Sequence, residues 1–176
     1  MRKLAFPAIL AGCLGVVLIG GSLAFAKDRD RSDARATLTS YQEVPTLSTA
    51  ARGTFRATVN GSTIRYTLRY QGFSTAVAVA HIHLGARATN GGVSAFLCGG
   101  GGKPACPATA GTVEGVIGAA DVVGPAAQDL APGQFAELVR AMRAGVTYAN
   151  VHSATYPGGE IRGQIRMGGG GDDDDD

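Results

Sequence analysis

Side chains able to do chemistry are scarce in this chain. Its three histidines fall in two short segments: His81 and His83 in Ala80-His81-Ile82-His83-Leu84-Gly85, and His152 in Tyr148-Ala149-Asn150-Val151-His152. Both segments read as β-strands. Residues two apart on a strand point to the same face, so His81 and His83 project side by side and can reach one metal ion or one anionic ligand. If the fold brings His152 to them on a neighbouring strand, three imidazoles make a site suited to copper, and less well to zinc, with a fourth position left for water or substrate. The same residues also fit a structural use, in which each ring hydrogen-bonds backbone or loops and holds two strand ends in register.

Other catalytic classes find no support. There is no G-x-S-x-G elbow, no P-loop, no dinucleotide fingerprint between a strand and a helix, and no pair of carboxylates spaced for acid–base work. Gly99–Gly102 is not a phosphate loop, because it lacks the Lys-Ser/Thr ending and a following amphipathic helix. It lies between Cys98 and Cys106, the two cysteines that remain once Cys13 is assigned to a leader segment. In an oxidising compartment these two should pair, and so short a loop gains about 2 to 3 kcal/mol from closure. Without a C-x-x-C the bridge reads as structural and not redox-active. No run of Lys or Arg with interleaved aromatics occurs, so nucleic acid is not an expected partner.

The elements that must position the histidines are mostly strands. Twenty-seven glycines, seven prolines, no tryptophan and 17% charged residues suit a turn-rich β protein. Thr54–Val59 and Ser62–Tyr70 alternate apolar and polar residues around Asn60-Gly61, a pair that accepts the positive φ angles of a type I′ turn. Further strands are predicted over Ala36–Glu43, Ala76–His83, Ser94–Leu97, Gly111–Ile117, Thr147–His152 and Glu160–Arg166, about eight in all. One helix interrupts them. Pro132 is placed in its first turn, Phe135, Leu138, Val139 and Met142 share one face, and Gly145 ends it. The expected architecture is all-β, an antiparallel Greek-key-like sandwich or barrel with one short helix.

The two ends of the chain read differently from its body. Residues 1–26 carry Arg2 and Lys3, a long apolar stretch from Leu4 to Leu23, and Ala24-Phe25-Ala26 as a small-x-small cleavage site, the pattern of a secretory signal. Two alternatives keep the chain at a membrane. The apolar stretch could remain as an anchor, or Leu10-Ala11-Gly12-Cys13 could act as a lipobox with a lipid on Cys13. All three readings put the domain outside the cytosol, secreted, periplasmic or at the cell surface. Residues 27–35 read as a charged linker, 36–167 as the β domain, and 168–176 as a Gly/Asp tail expected to be solvated. The chain carries 16 basic and 14 acidic residues. Losing Arg2 and Lys3 makes the mature chain formally neutral, and Asp172–Asp176 leave the body before them with an equal positive excess of five.

Several of these segments together resemble the CHRD (chordin-repeat) family. The resemblance rests on Gln42-Glu43-Val44-Pro45, on Gly53 followed by a hairpin, on Ala80–Gly85, on Tyr148–His152, and on Pro157-Gly158-Gly159-Glu160-Ile161-Arg162-Gly163-Gln164-Ile165. It spans about Ala36 to Arg166 and implies a β-rich extracellular domain of the single-domain microbial kind. The family also supplies the repeats of animal chordin, which binds secreted growth factors. That partner does not transfer to a lone exported domain, because fold does not fix function. The implied role is a binding or structural module with an unidentified protein or glycan partner, and without evident catalytic machinery.

A weaker similarity links the H-x-H strand, the later Val151-His152 and the Gly-Gly closing segment to the copper ligands and final strand of copper/zinc superoxide dismutases. Three histidines cannot furnish that family's zinc site, and Cys98–Cys106 does not reproduce its long-range disulfide. A copper-only variant survives this objection. Arg162 would then guide an anion by charge, although Glu160, Arg162 and Gln164 also read as an exposed polar alternation on the closing strand. Tyr156 belongs first to a turn, and its closeness to His152 lets it line a histidine site.

Overall fold

The computed structural model describes residues 31–168. The leader, the lipobox with Cys13 and the acidic tail lie outside the described residues. The chain is all-β: β1 (Arg31–Thr39), β2 (Arg52–Asn60), β3 (Thr63–Gln71), β4 (Val77–Leu84), β5 (Gly92–Cys98), β6 (Gly111–Ile117), helix α1 (Phe135–Arg143), β7 (Thr147–Ser153), β8 (Ile161–Gln164) and β9 (Arg166–Gly168). Every pairing is antiparallel, in the spatial order β5-β4-β7-β8-β1-β2-β3-β6, with β9 beside β1. The two ends of this path, β5 and β6, come into contact, so the sheet nearly closes into a barrel.

Alternation builds the interior. Ala34, Ala36 and Leu38 of β1, Phe55, Ala57 and Val59 of β2, and Ile64, Tyr66 and Leu68 of β3 all point inward and are buried. Tyr66 satisfies its hydroxyl by donating to Leu97 O on β5 across the interior, at 2.7 Å. Helix α1 contributes Leu138, Val139 and Met142 to the core, the face expected from their spacing.

Several boundaries differ from the expectations, most of them by one or two residues. The first strand starts at Arg31, inside the expected linker, because Asp33 and Arg35 are the outward members of an alternation whose inward members are small alanines. That strand ends at Thr39, where Ser40 Oγ exchanges hydrogen bonds with Thr49 O and N and turns the chain into a loop. The closing strand breaks at buried Ile165, whose N–H bonds Thr147 O, into β8 and a short β9 that takes in Gly168, the expected start of the tail. Pro132 precedes the helix, which begins at Phe135 after Gln134. In the β2–β3 hairpin Asn60 pairs with Thr63, so the turn residues are Gly61 and Ser62, and only Gly61 (φ 53°) has a positive φ. The type I′ expectation is therefore shifted by one residue and loses one of its two positive angles.

β7 matters most for the site. It is buried along its whole length, with Ala149 and Val151 facing the core and Tyr148, Asn150 and His152 facing the opposite side. A strand covered on both faces needs a second layer. Here that layer is two loops, 40–46 after β1 and 85–91 after β4, joined where Asn90 Nδ2 donates to Val44 O.

Candidate metal centre

His81 and His83 on β4 sit opposite Asn150 and Tyr148 on β7, and His152 lies opposite Val79. Residues facing each other across an antiparallel pair share a face, so all three imidazoles project into the layer beneath the two loops. The ring centroids of His81 lie 5.3 Å from His83 and 4.9 Å from His152, and those of His83 and His152 lie 5.8 Å apart. One ring nitrogen from each lies within 4.8 Å of the others. All three residues are buried, at 7–8% exposure.

The hydrogen bonds fix which nitrogen carries a proton. His83 Nδ1 lies 2.9 Å from Gly91 O and His152 Nδ1 lies 3.0 Å from Pro157 O. A carbonyl only accepts, so both rings carry their proton on Nδ1 and present the Nε2 lone pair to the cluster. His152 Nε2 must then accept from His81 Nδ1, 3.1 Å away. His83 Nε2 is buried with no hydrogen-bond partner among the described residues. Backbone carbonyls that set the tautomer and aim the free lone pair inward are the usual support of a metal-ligating histidine.

Burial keeps the rings neutral. Desolvation, with smaller contributions from His152 and His83, pushes His81 down to about 3. Desolvation likewise pushes His83 down to about 4 against the opposing hydrogen bond to Gly91, and lowers His152 against its bond to Pro157.

The walls of the cluster come from residues that the sequence reading did not single out. Phe96 on β5 meets His81 edge-on, with centroids 4.6 Å apart, and Tyr148 stacks flat on His83 at 4.8 Å. Phe96 is in turn covered by the loop of the Cys98–Cys106 disulfide: a Cβ on Gly100 or Gly101 would fall 2.6 Å from its ring, so only glycine lets the loop lie there. On the other side the Arg162 guanidinium lies 4.6 Å over the Tyr148 ring.

Arg162 is 4% exposed, and Glu160 beside it 1%, which corrects the reading of an exposed alternation. Arg162 Nε donates to Gln42 O, and Nη1 donates to Thr89 O and Asn90 Oδ1, so this one side chain ties both covering loops to β8. Asn150 Nδ2 donates to Glu43 Oε1 at 2.7 Å and to Ile161 O at 2.9 Å. Desolvation raises the Glu43 carboxyl to about 7, opposed by Asn150 and Arg162. Tyr156 contributes backbone: its N–H bonds Ser153 Oγ and its carbonyl accepts from Ser153 N and Gly159 N, while Pro157 supplies the carbonyl that holds His152. A signal for Phe96 and Tyr148 was present, since each lies directly opposite a histidine once the register is known.

The segments Gln42–Pro45, Ala80–Gly85, Tyr148–His152 and Pro157–Ile165 thus meet around one buried polar layer. Among the described residues no helix is long and apolar enough to cross a membrane. No curated protein and no solved structure matches the chain. The family model described as CHRD domain matches residues 34–165, three quarters of the chain, and the protein belongs to the CHRD domain family.

Proposed function

We propose that this CHRD domain is an exported binding module whose ligand is a copper ion held by His81, His83 and His152. The observation that carries the reading is the buried His83 Nε2 lone pair, left without a partner among the described residues and aimed at two other imidazoles. A buried polar atom normally finds a partner, and a cation supplies one. The proton between His81 Nδ1 and His152 Nε2 stands where the cation would bind. On binding, His81 would carry its proton on Nε2, so that Nδ1 of His81 and Nε2 of His83 and His152 become the donors.

Three neutral imidazoles can hold copper or zinc, and the divalent affinity order places copper first. Copper(II) binds nitrogen sites more tightly along the divalent series, and structural zinc sites usually take four protein ligands. Export rests on the leader-like residues 1–26 and on the disulfide, which persists in an oxidising compartment. The depth of the cluster suits retention of an ion better than turnover of a bulky substrate.

The test is calorimetric titration of metal-stripped protein with copper(II) and zinc(II), beside the variant His81→Ala, His83→Ala, His152→Ala and the gentler His83→Gln. One copper per chain, with nitrogen hyperfine lines in its electron paramagnetic resonance spectrum and at least tenfold weaker binding in folded His83→Gln, is expected. Absence of copper binding, or binding that survives unchanged in His83→Gln, returns the histidines to a structural role.

A further inference from the structure

The opposite half of the barrel carries a feature unrelated to the histidines. Arg35 on β1 is paired with Arg56 on β2 and with Arg166 on β9, so three arginines stand in one cross-strand row on the outer face. Arg65 and Arg69 on β3 and Arg52 on β2 share that face, and all six are exposed. None of the six is ion-paired among the described residues, whose two salt bridges are Lys103–Asp121 and Arg140–Glu137. Among the described residues, the acids on this face are Asp33, which accepts from Thr58 Oγ1, and Glu114 on β6, opposite Thr67. Like charges directly opposite one another on neighbouring strands repel, so such a row calls for a counter-charge.

The chain holds one a short distance away. β9 ends at Gly168, and Gly168 lines a shallow cavity of about 440 Å³ together with Arg35, Arg56 and Arg65. Gly169–Gly171 and Asp172–Asp176 follow. Three glycines reach about 10 Å and five aspartates about 17 Å more, whereas a row of three strands is only about 10 Å across. The glycines also permit the reversal of direction needed to return over the sheet. A linker this short holds the aspartates at an effective concentration in the millimolar range.

We propose that the arginine face of β9, β1, β2 and β3 is the docking surface for the chain's own Asp172–Asp176 segment. The positive excess of the body and the five aspartates are two halves of one contact. On this proposal the tail would rest on the arginines where composition alone suggests a solvated tail, because composition does not show that they share a face beside the end of β9.

The experiment compares the arginine Nε–Hε resonances of the complete chain with those of the fivefold variant Asp172→Asn through Asp176→Asn, at about 20 mM and about 500 mM salt. The resonances of Arg35, Arg56 and Arg166 should differ between the two proteins at low salt, converge at high salt and not depend on protein concentration, while that of Arg143 on α1 stays fixed. Synthetic penta-aspartate added to the variant should restore the shifts at millimolar concentration. Identical spectra at low salt, or a difference that fades on dilution because the contact forms between two chains, would overturn the proposal.

Discussion

At the residue scale, the histidines make stability depend on pH in a direction that can be worked out. His81 and His83 remain neutral in the fold down to about 3 and about 4, whereas the unfolded chain takes up protons below about 6.5. Below 6.5 the unfolded state therefore binds more protons, and stability present above 6.5 is lost as pH falls toward 4. We expect the metal-stripped protein to lose on the order of 3 kcal/mol across that window, read from urea midpoints. Glu43 works in the opposite sense. Its folded value of about 7 against 4.5 gives stability that is complete below 4.5 and declines as pH rises through 7. Because its window overlaps that of the histidines, Glu43→Gln should remove an opposing gain and deepen the net loss of stability on acidification from pH 6.5 to pH 4.5. Because His81 and His83 stay neutral down to about 3 and about 4, and burial lowers His152 as well, copper affinity should change little between pH 7 and pH 5 in a chelator competition. The H-x-H pair and its shared face were legible from the sequence by strand period alone. The tautomers were not, since Gly91 O and Pro157 O belong to loops whose paths no periodicity encodes.

At the element scale, the disulfide loop and the closing strand are the parts to probe. Cys98→Ala with Cys106→Ala should destabilise by about 2 to 3 kcal/mol, and, because Gly100 and Gly101 lie against Phe96 and Phe96 against His81, should also weaken copper binding. A variant that loses stability but keeps its full copper affinity would show that the loop does not support the cluster. Gly163→Ala tests the joint between β8 and β1: its Cβ would fall 2.3 Å from Thr37 O, and a loss of about 2 to 3 kcal/mol in chemical denaturation is expected. Most strands were readable from alternation. The exceptions have local causes: Asp33 and Arg35 looked like linker because their inward partners are only alanines, and Arg162 looked exposed because its cover is a loop 120 residues earlier in sequence.

At the scale of the whole molecule, the barrel has two unlike outer faces. The β4-β7-β8 side is polar yet roofed by loops, and the β9-β1-β2-β3 side is basic and open. Cross-strand repulsion on the open side should make stability depend on salt once the tail is neutralised. The fivefold Asp→Asn variant is expected to gain about 1 kcal/mol between low and high salt while the natural chain gains less, read from melting curves. The all-β class and the family resemblance could be read before any coordinates. The division into a covered face and an open one could not, because it depends on which strands become neighbours.

The bond from Arg162 Nε to Gln42 O also sets an order of events in the life of the chain. Gln42 leaves the ribosome 120 residues before Arg162, and the roof over the histidines is tied to β8 only when the two meet. His81 and His83 wait beside an unfinished β7–β8 edge until then. On the copper reading, the ion would be taken up once β8 has joined β7, by a folded vessel and not by a growing chain.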